Sequence, residues 1–156
     1  MDEATGLPPP HTGPVAISAH DDVPAGDAAT VDAGLTAFNH AAAPLHEVRP
    51  LACFARDARG EVVGGALGRT WGDCAEIQEL WVDETFRGAR IGSRLVRSFE
   101  AAAAARGCRT FYLETLDFQA PRFYEKLGYR IVFTLDVLPH GVKRHTMLRR
   151  DEDPRR

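Results

Sequence analysis

The sequence predicts a mixed α+β fold, a central sheet with a partly parallel middle flanked by helices. Two observations carry that reading. Apolar runs of strand length, bounded by Gly, Pro and Asp, recur along the chain. Between two of them, residues 91–106 place Ile91, Leu95, Phe99 and Ala102 at three- and four-residue steps, the spacing of a helix with one apolar face, and Gly107 can end it.

In chain order, residues 1–13 hold Gly6, Pro8, Pro9, Pro10 and Gly13 and read as a flexible leader. Val15, Ile17 and Ala19 alternate with Ala16 and Ser18, which predicts a first strand. From Pro24 to Ala43 the chain is alanine-rich, with Val31, Leu35 and Phe38 at helical spacing. Gly26 and Gly34 interrupt it, so one or two short helices are expected. Residues 51–56 and 61–70 predict a hairpin closed by Asp57-Ala58-Arg59-Gly60, and Gly64, Gly65 and Gly68 predict a bulge or a closely approaching neighbour in its second arm. Residues 75–83 read as the fourth strand and 109–115 as the fifth. Pro121 opens a short helix that turns Phe123 and Leu127 inward and stops at Gly128. Residues 129–136 and 142–148 are two closing strands around Pro139-His140-Gly141. Residues 14–150 then form a single domain, and 151–156 a charged tail.

Composition narrows the function. The 156 residues are 44% hydrophobic and 26% charged, a globular balance at the size of one domain. Lys and Arg number 19 against 22 Asp and Glu, for a net charge of −3, so no nucleic-acid surface is expected; a cationic substrate is compatible. Cys53, Cys74 and Cys108 are odd in number and form no CxxC pair, which excludes a zinc knuckle or disulfide framework and points to a reducing, cytoplasmic setting. His40, His46, His140 and His145 lack ligand spacing, so no metal is expected. The alanine run 101–105 is far below the roughly 20 apolar residues of a membrane span, and Asp2 and Glu3 do not open a secretory signal.

The chemistry concentrates in ELWVDETFRGARIGSRL, residues 79–95. A strand ends near Val82 and a helix begins near Arg90, so residues 87–93 sit at a helix N-terminus. There the first backbone N–H groups lack partners and the positive end of the helix dipole lies behind them. Gly88 permits close approach and Arg87 and Arg90 add charge, an arrangement suited to a pyrophosphate. A tight strand-to-helix turn explains the two glycines equally well. Neither GxxxxGK[ST] nor GxGxxG occurs.

A second segment, FQAPRFYEKLGY at 118–129, lies one strand further on. Together the two resemble the GNAT superfamily of acetyl-CoA-dependent N-acyltransferases. Its pyrophosphate loop, Q/R-x-x-G-x-G/A, corresponds to Arg87-Gly88-Ala89-Arg90-Ile91-Gly92, and its late Ala-x-x-x-Tyr-Glu-Lys-Leu-Gly-Phe/Tyr signature to residues 120–129. The resemblance covers residues 62–148. Two positions depart from it: Arg90 stands where the loop usually has Gly, and Asp117 where Asn often precedes the signature.

The resemblance implies a GNAT fold: a mixed, mostly antiparallel twisted sheet of about six to seven strands, flanked by helices, whose parallel fourth and fifth strands splay apart. Acetyl-CoA would lie in that gap, with Leu80, Trp81 and Val82 along the pantetheine arm and Arg87, Gly88, Ala89, Arg90, Ile91, Gly92 and Ser93 around the pyrophosphate. Asp117, Ala120, Phe123, Tyr124 and Lys126 complete the implied cofactor site. An amine would attack the thioester directly, which needs a proton acceptor, an oxyanion donor and a proton for the leaving thiolate. Glu76, Glu79 and Glu114 are the candidate proton acceptors, Glu76 standing six residues before Val82, where the histone-acetylating branch carries its base. Strand alternation predicts that Glu76 and Glu79 face opposite sides of the sheet. Tyr124 would protonate the thiolate and the Val82 N–H would hold the oxyanion. Surface carboxylates and a core tyrosine are the ordinary alternatives.

The expected acceptor is a small primary amine, an aminoglycoside-type antibiotic being the sharper version. Protein or peptide N-acetylation, and a non-catalytic acetyl-CoA sensor or interaction module, are the rival readings. The family commonly forms homodimers through its late strands.

Overall fold

The computed structural model describes residues 13–151. The chain divides into two compact units between Ala43 and Pro44. In the first, residues 15–19 form no strand. Alternation marks which side chains would share a face, but a strand also needs a partner for its backbone groups, and no ladder includes these residues. The alanine-rich stretch is one continuous helix, α1 (Ala25–Ala42), rather than two short ones. Each internal glycine costs about 1 kcal/mol relative to alanine. The alanines around Gly26 and Gly34 are the best helix formers and carry the helix through both. Ala43, extended, and Pro44 end it.

The second unit holds a six-stranded sheet: β1 (Arg49–Arg56), β2 (Val62–Trp71), β3 (Cys74–Val82), β4 (Thr110–Leu116), β5 (Arg130–Leu135) and β6 (Arg144–Arg150), in the order β1-β2-β3-β4-β6-β5. Every pairing is antiparallel except β3 with β4. The parallel pair is joined by α2 (Ile91–Ala105), and a short α3 (Pro121–Lys126) follows β4.

Helix α2 packs across β1, β2 and β3. Its Leu95, Val96, Phe99 and Ala103 are buried with Ala66, Ala75, Ile77, Phe111, Leu113 and Met147 of the strands. Burying side chains of this kind contributes about 1.5–3 kcal/mol each, which makes this helix face the main support of the sheet. The same helix carries a buried carboxylate, Glu100. It accepts a hydrogen bond from the Tyr129 hydroxyl at 2.9 Å and pairs with Arg97 at 2.9 Å and Arg149 at 3.4 Å. Arg149 also lies over the Phe111 ring, 4.8 Å from its centroid. A buried charge is tolerated only with such partners, so the cluster ties α2, the turn after α3 and β6 into one arrangement.

Two irregularities in the sheet shape the functional region. First, β3 and β4 pair only from Cys74–Thr110 to Ile77–Leu113, after which residues 78–82 and 114–116 diverge. Second, Leu67 pairs with Glu79 and Gly68 with Ile77, leaving Gln78 as a bulge. Gly68 is required here, because a Cβ would run into the Glu76 carbonyl and come within 2.9 Å of the Phe99 ring. The bulge also corrects the expected strand alternation. One extra residue restores the parity, so Glu76 and Glu79 lie on the same face, opposite Arg69 and Leu67.

Candidate active site

Between β3 and α2 the chain makes a short 3₁₀ turn over Glu84–Phe86. Asp83 caps this turn, accepting from the Thr85 N–H at 2.9 Å and from its hydroxyl. Those bonds to Thr85 hold the Asp83 carboxyl below its usual value. Arg87 folds back, donating from Nε to the Val82 carbonyl at 3.2 Å and from Nη1 to Glu84 at 3.4 Å. Gly88 has φ +86° and Arg90, at the N-cap, has φ 58°. Arg90 therefore adopts the left-handed conformation of the glycine that commonly stands there in the resembled loop. It offers no side-chain cap to the helix. A ligand is thus the natural partner for the first N–H groups of α2, and a cavity of about 370 Å³ lies over them. Val82, Phe86, Arg87, Gly88, Arg90, Ile91, Gly92, Ser93 and Phe123 line it.

This cavity shares Val82, Arg87, Gly92 and Phe123 with a larger cleft of about 740 Å³ where β3 and β4 diverge. One wall is residues 77–82, the other Glu114, Thr115, Gln119, Ala120 and Tyr124. An anion cradle continuous with a narrow cleft suits a pyrophosphate carrying an extended arm. A Cβ on Gly92 would lie 3.4 Å from the Phe123 ring, so a larger residue there would narrow the passage between the two cavities.

The fold brings Glu79, Glu114 and Tyr124 to one cleft. Tyr124 is buried on α3, edge-on to Phe123 at 5.0 Å and to Tyr129 at 5.9 Å. Burial pushes its hydroxyl up to about 12, so it remains a proton donor at neutral pH. Glu114 is tethered by Arg144 at 3.5 Å and accepts from the Thr146 hydroxyl at 3.4 Å. Glu79 makes no ion pair or side-chain hydrogen bond with another described residue.

Glu76 is elsewhere: it pairs with Arg69 at 2.6 Å and lines a separate cavity with Trp71 and Tyr112. Leu80, Trp81, Val82, Arg87, Arg90, Ile91, Gly92, Ser93, Ala120 and Phe123 all line the cradle or the cleft, whereas Ala89, Asp117 and Lys126 line neither. The Asp117 N–H instead bonds the Lys143 carbonyl at 2.9 Å, which joins the β4 end to the start of β6. The sequence reading overlooked Gln119, which lines the cleft and fixes the end of β4 by accepting from the Leu116 N–H at 2.8 Å. Its place between Asp117 and Ala120 was the available signal. Among the described residues no cluster of His, Cys, Asp and Glu could hold a metal, and no helix is long and apolar enough to cross a membrane.

Comparison with known proteins bears on the family and the fold. The acetyltransferase (GNAT) family model matches residues 24–129. The chain is 40% identical over 110 residues to the blasticidin-S acetyltransferase of Streptomyces morookaense, covering 68% of this chain and 81% of that protein. Its fold matches an acetyltransferase from Bacillus cereus ATCC 14579 with a TM-score of 0.73 and 26% identity, over 86% of this chain and 98% of the other. It also matches an aminoglycoside 6′-N-acetyltransferase complexed with coenzyme A, with a TM-score of 0.60 and 27% identity, over 68% and 76% of the two chains. On sequence and fold together, the chain belongs to the GNAT family of acetyltransferases.

Proposed function

We propose that this acetyltransferase moves the acetyl group of acetyl-CoA to a primary amine of a small molecule, and that the amine of an antibiotic is the first class to test. The observation that carries the reading is the continuous groove from the α2 N-terminus to the β3–β4 cleft, with Tyr124 and Glu79 in its wall. The names of two relatives support the acceptor class, one acting on blasticidin S and one on aminoglycosides.

Acetyl-CoA, when bound, supplies the activated thioester; the rest falls to this chain. The N–H groups of Ile91, Gly92 and Ser93, with Gly88 in close approach, hold the pyrophosphate. Glu79 takes the proton of the incoming ammonium, directly or through water. An alkylamine with a pKa of about 10.4 is almost wholly protonated at neutral pH, and making it neutral at pH 7 costs about 4.6 kcal/mol, so a nearby acceptor is a large part of the rate. The Val82 N–H holds the oxyanion as the amine adds to the carbonyl carbon, a contact worth about 10²–10³ in rate. The C–S bond then breaks as Tyr124 donates its hydroxyl proton to the sulfur, and the second proton of the attacking nitrogen passes through water to the Tyr124 oxygen, leaving the neutral amide and the thiol. Glu114, held by Arg144 and Thr146, keeps the cleft anionic and favours a cationic acceptor.

A thiol-release assay tests this reading, with acetyl-CoA offered alongside blasticidin S, aminoglycosides, polyamines, free amino acids and a lysine peptide. Release with a small-molecule amine is the expected result. Release with the peptide alone would replace the acceptor class. Acetyl-CoA binding without release across the panel would favour a sensor.

A further inference from the structure

Where β3 and β4 part, β4 is left with a backbone donor that has lost its neighbouring strand, and Gln119 answers it. We propose that Gln119 is also the side-chain donor that fastens the pantetheine arm of acetyl-CoA to the β4 wall of the cleft, its amide N–H donating to a carbonyl of the arm. The proposal rests on the acetyl-CoA reading and adds the residue that grips the arm from the side opposite β3.

Strand register sets up the contact. β4 is paired with β6 as far as Leu116–Arg144, and the Asp117 N–H bonds the Lys143 carbonyl at 2.9 Å. Backbone N–H groups alternate between the two edges of a strand, so the Leu116 N–H points to the β3 side. The ladder with β3 has already stopped at Ile77–Leu113, so no strand is there to accept from it. Gln119 does so instead: its Oε1 lies 2.8 Å from the Leu116 nitrogen and 3.3 Å from the Thr115 hydroxyl oxygen. A backbone N–H can only donate, so the atom facing it is the carbonyl oxygen, and chemistry fixes which way the carboxamide points. The Gln119 backbone is held as well, its N–H bonding the Leu116 carbonyl at 2.9 Å.

The Leu116 N–H and the Thr115 hydroxyl occupy both lone pairs of the Gln119 oxygen. The amide nitrogen has no partner among the described residues, and the side chain is exposed and lines the cleft. β4 therefore presents this side-chain donor to the gap in place of its own backbone N–H. A side chain already held at its backbone and at its oxygen loses little freedom on gripping a ligand. The pantetheine arm carries secondary amides, whose carbonyls lose water on entering the cleft and need donors there. Asp117, where the resembled pattern often has Asn, does not meet that need: a carboxylate has no N–H, and it lines neither cavity. Gln119 supplies the amide instead. A cap for Leu116 alone would require only an acceptor, which a carboxylate provides equally well.

That difference is the basis of the test, a calorimetric titration of the full chain with CoA and with ADP, which keeps the pyrophosphate and lacks the arm. Gln119→Glu keeps an oxygen for Leu116 and Thr115 and removes the N–H donor, so its thermal midpoint should stay within about 2 °C of wild type. Its CoA affinity should fall about tenfold or more, with ADP affinity within about twofold of wild type. Gln119→Met, neutral and of similar length, should weaken CoA to the same degree, with a lowered midpoint because it loses the cap as well. CoA affinity unchanged in Gln119→Glu would overturn the role of Gln119 and leave the cofactor reading standing. So would an equal loss for CoA and ADP, the mark of charge repulsion rather than a lost donor. Binding of neither ligand by wild type would count against both.

Discussion

Tyr124 and Arg90 carry the sharpest residue-level consequences. Replacing Tyr124 by Phe removes a proton donor from the cleft while keeping the ring that packs on Phe123 and Tyr129. Turnover should fall by about 10²–10⁴, with acetyl-CoA affinity within about twofold of wild type, read from steady-state kinetics beside calorimetry. Burial raises the Tyr124 pKa from 10.0 to about 12. The neutral form is therefore favoured by folding. Its contribution is complete below pH 10 and is lost as pH rises from 10 to about 12, so wild type should lose stability across that window by a margin that Tyr124→Phe lacks. Arg90 holds φ 58°, where an L side chain costs about 1–2 kcal/mol. Glycine relieves that strain but adds unfolded-state entropy worth about 0.5–1 kcal/mol. Arg90→Gly should accordingly leave stability unchanged or raise it by up to about 1 kcal/mol in a urea titration, whereas β-branched Arg90→Val should lower it and weaken acetyl-CoA binding.

At the scale of elements, the β3 bulge decides what the cleft contains. It exists because Gly68 lets the Glu76 carbonyl approach. Gly68→Ala should destabilise by about 1–3 kcal/mol and, by shifting β3, lower turnover in the protein that remains folded; thermal melts and kinetics on the same preparation check both. The same bulge marks the limit of what the sequence made legible. The six strands of the sheet, α2 and α3 follow from periodicity and from Gly and Pro, since each is a local property of the chain. The glycines of β2 announced a close neighbour but not which residue on β3 would be extruded. Without that, alternation put Glu76 and Glu79 on opposite faces, where the extra Gln78 sets them on one. Residues 15–19 failed as a strand for a related reason: alternation contains no information about a partner. The N-terminal cradle of α2 was legible because a helix start and a glycine are both local. The separation of Glu76 from Tyr124 was not, because it depends on where β3 and β4 part.

For the whole molecule, the account rests on the divergence of β3 and β4 after Ile77 and Leu113, where two adjacent strands part beside a helix N-terminus and leave room for a ligand. The sheet remains intact around this gap because α2 packs across β1, β2 and β3, and because β4 is paired on its other side with β6 along its full length. The Glu100 cluster fixes α2 to Tyr129 and Arg149, so the helix that carries the cradle is anchored at its middle. A rigid groove of this kind holds a flexible thioester with little ordering cost on the protein side. The measurement that tests this most directly is a crystal structure of the complex with acetyl-CoA. The account predicts the pyrophosphate on the N–H groups of residues 91–93, the thioester carbonyl within hydrogen-bond reach of the Val82 N–H, and its sulfur beside Tyr124. An acetyl group lying outside the β3–β4 cleft, with the pyrophosphate away from the α2 N-terminus, would contradict it.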